Sequence, residues 1–385
     1  MNKAAYPRHG YRHSRLAIGS AKLLEKFFPK PRLGQEAVRQ ESPRILLIEL
    51  FGLGDVASLS VMFDPILRRF PGAKIHILCQ PWWVPFYARD SRVCEVVGMP
   101  TPWKSGLDRF LSWKAWASVL RVIRSMQKTR FDWCVETRGD IRSQILARWM
   151  QPKSLVGPRD YMGSNMVLRG ALLSHRVEIL PATHRYQRNC DCLTPILGEP
   201  VKASLPSFPH KAKQFTPGVP RRLLIHPAGG WKYKHWPEER WRRLLLHLLG
   251  RKDWEIGILC APGEGAGVER ISQGLRVRIE RPGLAELLPT IHSYDAMVGT
   301  DSGPLNVAIL SAIPVVDLMG PGDSTLWGPP PPGGVLLQNV DHYPCHPCLQ
   351  RKCVFSSNPC IRQIHWEEVK DALEVVGKQL AHPPA

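Results

Sequence analysis

The stretch from Ala296 to Pro321 leaves few folds open to this chain. An apolar strand over Ala296–Val298 runs into a tight turn, Gly299 to Gly303. Pro304 then opens a helix, where its missing N–H has no intrahelical partner to lose. Asp301 or Ser302 is expected to cap that helix. After Ala312 a second strand, Val315–Met319, runs to Gly320-Pro321. This is a β–turn–α–β unit whose helix N-terminus faces the carboxyl ends of the strands, a place where free N–H groups and the helix dipole favour phosphate.

The same grammar recurs on both sides of a proline-rich break. In the first half, Arg44–Leu50 reads as a buried parallel strand. The glycine turn Phe51-Gly-Leu-Gly-Asp55 follows it. Val56, Leu59, Phe63, Ile66, Leu67 and Phe70 then recur at helical spacing, with Pro65 expected to kink that helix or to sit where a neighbour relieves it. Further strands are expected at Lys74–Cys79, Val93–Val97, Asp132–Glu136 and Leu155–Gly157, and helices at Leu111–Lys128 and Ser143–Met150. Residues 198–221 lack periodicity and read as a linker. The second half restarts with a strand at Arg222–Ile225. The loop His226–Trp236 and a helix from Pro237 come next, then strands Trp254–Cys260 and Arg276–Ile279, with helices 266–274 and Leu284–Ile291. A closing helix spans Trp366–Leu380. Two successive β/α halves suggest two Rossmann-like doubly wound domains facing each other across a cleft.

With 385 residues the chain is long enough for two domains of ordinary size. Lys plus Arg number 52 against 33 acidic residues, a formal charge of +19. Such an excess points to polyanionic company (nucleic acid, an anionic membrane or a phosphorylated substrate) or to a merely soluble basic surface. No apolar run reaches the roughly 18 residues of a membrane span. Met1–Pro43 lacks the apolar core and cleavage site of a signal peptide, so a cytoplasmic protein is expected. Within that basic arm, Leu16, Leu23, Leu24, Phe27 and Phe28 fall near one helical face. The arm is either an amphipathic helix lying in an anionic membrane interface, a helix packed on the domain, or disordered.

Several residues have the chemistry of a site. Asp55 stands at a strand–helix junction, where open α/β sheets bind ligands, and equally where a helix cap would stand. Arg138, Asp140 and Arg142 follow the strand Asp132–Glu136 and suit an anionic acceptor, or are surface charges. In the loop 226–236, Gly229 and Gly230 let backbone N–H groups approach a ligand, while Lys232 or Lys234 neutralises phosphate. With the turn 299–304 this makes a plausible diphosphate site. A base opposite a diphosphate pocket describes glycosyl transfer from a nucleotide sugar. Near the end, Cys345, Cys348, Cys353 and Cys360 open with C-x2-C spacing, which suits zinc, a thiol pair prone to oxidation, or plain packing.

Three motifs carry a resemblance: Arg44–Asp55 with its Gly-Leu-Gly-Asp turn, His226–Pro237 ending in Lys-His-Trp-Pro, and Thr300-Asp-Ser-Gly-Pro with its helix and Pro-Val-Val-Asp-Leu-Met-Gly-Pro. In this order and spacing they resemble glycosyltransferase family 9, the lipopolysaccharide heptosyltransferases, over about residues 44–375. The resemblance implies the GT-B fold, with the C-terminal helix crossing back to the first domain. It implies an acceptor domain over 44–197 and a nucleotide-sugar domain over 222–363, with 364–385 as closing helix and tail. It also implies inverting transfer with no cofactor and no metal in the chemistry, and ADP-heptose as the nucleotide-sugar substrate.

By that likeness Asp55 is the catalytic base, Lys234 binds the donor phosphate, and Asp301, Ser302 and Gly303 hold the donor sugar and diphosphate. Glu264 is similar in position to a ribose-binding carboxylate. Two departures touch the donor site: Asn306 stands where the family commonly has His, and Gly229 and Gly230 replace hydroxyl residues. The implied acceptor is a lipopolysaccharide-core or other anionic lipid-linked saccharide at the cytoplasmic face of the inner membrane. Competing expectations are a family 9 enzyme with another nucleotide sugar, a non-catalytic sugar-nucleotide or lipid binder, and a nucleic-acid or polyanion-binding protein. The last has no recognised nucleic-acid module behind it.

Overall fold

A computed structural model describes residues 41–104, 111–159, 172–210, 219–331, 333–348 and 353–381. The basic arm with Leu16–Phe28 lies outside them. The chain divides into two compact units that meet in sequence between Ser204 and Leu205.

The first unit contains strands β1 Arg44–Ile48, β2 Lys74–Cys79, β3 Val93–Gly98, β4 Trp133–Glu136, β5 Ser154–Pro158 and β6 His175–Val177. They form one parallel sheet in the order β3-β2-β1-β4-β5-β6. Its helices are α1 Leu53–Ala57, α2 Phe63–Arg69, α3 Trp113–Thr129, α4 Ile141–Trp149, α5 Arg185–Asp191 and α6 Thr194–Leu197. Ile45–Ile48 is wholly buried, the signature of a parallel strand covered on both faces. The helix expected to run from Val56 to Phe70 is broken: Ser58–Met62 is 3-10 between α1 and α2. Pro65 falls in the first turn of α2, where it displaces no helical hydrogen bond. The aromatic run Pro81–Tyr87 is also 3-10.

The second unit repeats the plan. Strands β7 Arg221–His226, β8 Trp254–Leu259, β9 Arg278–Glu280, β10 Ala296–Thr300, β11 Val315–Leu318 and β12 Gly334–Leu337 pair in the order β12-β11-β10-β7-β8-β9. Renumbered within the unit, that order is the same as in the first sheet. Its helices are α7 Glu238–Arg251, α8 Gly265–Ser272, α9 Leu284–His292, α10 Gly303–Leu310, α11 Ser324–Trp327 and α12 Trp366–Ala381. Residues 205–210, within the proline-rich stretch, already belong here: the Ser207 and Phe208 N–H groups donate to the Leu310 carbonyl, and Phe208 is buried. The closing helix α12, expected to cross back to the first domain, has its buried face in this unit's core. Val369, Leu373 and Val376 join Leu223, Trp241 and Val316 there.

Two sheets of this kind with covering helices match the GT-B architecture expected from the sequence. Among the described residues no helix is long and apolar enough to cross a membrane.

Candidate active site

In each sheet the chain moves outward from its first strand and then returns to lay its fourth strand on the other side of the first. The loops leaving those two neighbours diverge, and the crevice between them is where such sheets bind ligands. In the first unit these are the loops after β1 and β4. Asp55 stands in the first turn of α1, and its Oδ2 accepts from the Gly52 N–H at 3.1 Å. That is half of a capping arrangement. Its Oδ1 accepts from Arg138 Nη1 at 2.6 Å. The Arg138 guanidinium in turn lies over the Phe51 ring, 3.6 Å from its centroid. Burial opposes ionisation of Asp55, but Arg138, Arg185 and the Gly52 N–H outweigh it and hold the carboxyl below its usual range. Asp55 is therefore ionised at neutral pH and able to accept a proton.

Under this pair lies a buried ionic layer. Arg185 Nη2 donates to Glu49 Oε2 at 2.5 Å and to Thr137 Oγ1 at 3.1 Å. The Thr137 hydroxyl donates to the same Glu49 oxygen at 3.1 Å. Glu136 accepts from the Gly139 N–H at 2.7 Å and the Arg138 N–H at 3.2 Å, which fixes the loop that carries Arg138. Burial, then the charges of Asp140 and Glu49, push Glu136 up to about 8 despite those two donors. Burial likewise raises Glu49, with Arg185 opposing.

The other two candidates of this segment, Asp140 and Arg142, pair with each other. Asp140 caps α4, accepting from the Arg142 N–H at 2.9 Å, and its carboxylate is held by the Arg142 guanidinium at 2.5 and 2.9 Å. Asp140 is buried, with its carboxylate committed to the helix cap and to Arg142.

In the second unit the diverging loops follow β7 and β10. Lys234 Nζ is 2.5 Å from Asp301 Oδ2. Asp317, beside Gly299 in the β10–β11 register, is wholly buried. Among the described residues its Oδ1 has no hydrogen-bond partner. Burial and then the Asp301 charge push its carboxyl well up, with Lys234 only partly offsetting them. His226, the last residue of β7, joins two further candidates. Its Nδ1 is 2.9 Å from Ser302 Oγ and its Nε2 is 3.4 Å from Glu264 Oε2. Glu264 also accepts from the Ala261 N–H at 2.9 Å. Burial opposes ionisation of Glu264, but His226 and that N–H prevail and lower it.

The capping role expected of Asp301 or Ser302 is not what these side chains do. No side chain caps α10: the Asp301 carboxylate goes to Lys234 and the Ser302 hydroxyl to His226. Gly303 is the first residue of α10, whose first-turn amides have no partners within the helix. Gly230 faces open space, while a side chain at Gly229 would press on Lys234 Cβ and Thr300 Oγ1. Asn306 is buried, and its Nδ2 donates to the Ser302 carbonyl at 3.0 Å.

A model of "Glycosyltransferase family 9 (heptosyltransferase)" matches residues 119–358, well over half of the chain. The chain belongs to glycosyltransferase family 9. It is a glycosyltransferase. Lipopolysaccharide heptosyltransferase 1 of Pseudomonas aeruginosa is 24% identical over 321 residues, covering 81% of this chain and 88% of that protein. The Salmonella typhimurium protein of the same name is 23% identical over 305 residues, covering 74% and 90%. Among solved structures, E. coli heptosyltransferase WaaC with ADP superposes with a TM-score of 0.68 at 16% identity, over 86% of this chain and 99% of that one.

Some residues of this family 9 chain escaped the sequence reading. His226, Asp317, Glu49, Glu136 and Arg185 were not singled out. Three of them had a signal: Glu49, Glu136 and Asp317 are carboxylates set inside apolar strand runs, where burial makes an ionisable group costly without a purpose. The four C-terminal cysteines carry free thiols, and no group of three or more His, Cys, Asp or Glu among the described residues is placed to hold a metal ion.

Proposed function

We propose that this family 9 enzyme is an inverting, metal-independent heptosyltransferase. It moves heptose from ADP-heptose to a lipopolysaccharide-core or other lipid-linked saccharide at the cytoplasmic face of the inner membrane. Two relatives are named lipopolysaccharide heptosyltransferase 1. Two WaaC structures of like fold carry ADP and ADP-2-deoxy-2-fluoro heptose. The observation that carries the reading is that Asp55 and Lys234 each stand beside the crevice of its own sheet, where ligands of such folds bind.

In this reading Asp55 takes the proton from an acceptor hydroxyl. That oxygen attacks the anomeric carbon of heptose on the face opposite the nucleotide. The bond to the phosphate oxygen breaks, and ADP leaves with the electron pair. Lys234 and the first-turn amides of α10 meet the charge that grows on the diphosphate. Glu264, ionised and anchored by Ala261, accepts from ribose hydroxyls. Arg138 orients Asp55 and faces anionic groups of the acceptor when it lets the carboxylate go.

Asp55→Asn should lower turnover by about 10²–10⁴-fold, the usual worth of a positioned general base, while ADP affinity stays put. Turnover near the wild-type rate would reject the base. Thermal-shift screening with ADP-, UDP-, GDP- and dTDP-sugars tests the donor. A larger shift with any nucleotide sugar other than ADP-heptose would reassign it.

A further inference from the structure

Helix α3 holds one face in the first unit's core, and among the described residues nothing covers the other. Val119, Ile123 and Met126 are buried, and Trp116 packs beside Trp103 at 6.1 Å between ring centroids. On the outer side, Trp113 is 74% exposed and Leu120 is 42% exposed, and Leu111, just before the helix, is 71% exposed. Trp113, Ala117, Leu120 and Arg124 recur at i, i+4, i+7 and i+11, a single stripe. Lys114, Arg121 and Lys128 form the stripe beside it. Residues 111–130 hold five basic side chains and not one acidic one. Elsewhere in the unit, arginines 92, 138, 142, 159 and 185 each pair with a carboxylate. Among the described residues no ion pair engages Lys114, Arg121, Arg124 or Lys128.

An exposed indole and leucine flanked by unpaired cations is a poor solvent-facing surface and a good interfacial one. The ring and aliphatic chain enter the headgroup region while the long basic side chains stay at lipid phosphates. We propose that the outer face of α3 docks on an anionic lipid membrane. Trp149 widens the patch: it is 37% exposed, and its carbonyl accepts from Gln127 Nε2 of α3 at 2.6 Å. Charge complementarity selects the occupant, because a protein partner of matching chemistry would need an acidic surface that leaves room for two protruding apolar side chains. The inference draws on the proposed function only in taking the acceptor to be lipid-linked.

The test uses the full chain and three variants: R121Q/R124Q, W113S/L120S, and F27S/F28S in the basic arm. Each is measured by co-sedimentation with phosphatidylglycerol vesicles and with phosphatidylcholine vesicles. Transfer is followed on an acceptor embedded in vesicles and on its deacylated, water-soluble saccharide. Each cation near an anionic surface strengthens binding about five-fold, so R121Q/R124Q should cut partition to phosphatidylglycerol about 25-fold. W113S/L120S should weaken it as well, and both variants should keep wild-type transfer to the soluble saccharide. Wild-type partition by both α3 variants would overturn the proposal, as would binding lost only in F27S/F28S. So would equal binding to both lipids, or an effect of R121Q/R124Q on DNA binding alone. Vesicle binding that depends on α3, with no transfer to either acceptor, would refute the proposed function and leave this surface standing.

Discussion

Replacing Lys234 with alanine separates two roles that its position combines. In the structure Nζ sits 2.5 Å from Asp301 Oδ2 and 3.5 Å from the Asp301 carbonyl. The Asp301 side chain is only 10% exposed, and its charge acts on the buried Asp317 carboxyl. Removing the ammonium therefore has a folding effect: a mostly buried carboxylate loses its cation. Fully buried pairs broken in this way cost about 3–5 kcal/mol; with Lys234 itself 27% exposed, water screens the site and about 1–3 kcal/mol is expected.

It also has a binding effect. One charge-assisted hydrogen bond to the donor diphosphate is worth about 1.5–3 kcal/mol, so the Kd for ADP should rise about 10- to 150-fold. The two effects part in the double variant Lys234→Ala/Asp301→Asn. Removing the orphaned carboxylate should restore much of the stability and none of the ADP affinity. Calorimetric titration with ADP gives the second quantity, and chemical unfolding gives the first. ADP affinity in Lys234→Ala within about two-fold of wild type would refute the phosphate role, since no charge-assisted contact is worth so little. Recovery of ADP affinity in the double variant would show that Lys234 serves only to neutralise Asp301.

Two more outcomes follow from the first unit. Arg185→Met should destabilise by about 3–5 kcal/mol because Glu49 is left buried and unpaired, and Glu49→Leu/Arg185→Met should recover most of the loss; equal losses in the single and double variants would refute it. Glu136 keeps its proton to about pH 8 when folded but gives it up near its ordinary value when unfolded. The folded state thus binds more protons between those values, and stability should fall by a few kcal/mol as pH rises through that window. Glu136→Gln should flatten the slope of unfolding free energy against pH, and an unchanged slope would assign the titration elsewhere.

Much of the fold was legible because parallel strands buried on both faces are written as apolar runs, as in Ile45–Ile48 and Val315–Leu318. The strands that left no trace, β6 and β12, are at sheet edges, short and only partly buried, so no run marks them. Helix α4 starts earlier than Ser143 because Asp140, also a ligand candidate, is its cap. A carboxylate before a helix has the same spelling in either role. The Asp55–Arg138 contact spans 83 positions and exists only because β4 returns to lie beside β1. Local pattern holds no record of such a return. The diversion of Asp301 and Ser302 from α10 depends in the same way on His226 at the end of β7 and Lys234 in the loop after it, 76 and 67 residues away from their partners.

That diversion bears on how the enzyme behaves between turnovers. A short helix whose flanking side chains are committed elsewhere begins without closure, so its opening turn should open and reclose readily. An anion seated there would supply the closure and tighten the turn. Amide hydrogen exchange at Gly303 and Leu305 should then report occupancy directly, rapid in the resting protein and slowed once nucleotide arrives, with the amides of β10 just upstream hardly changed.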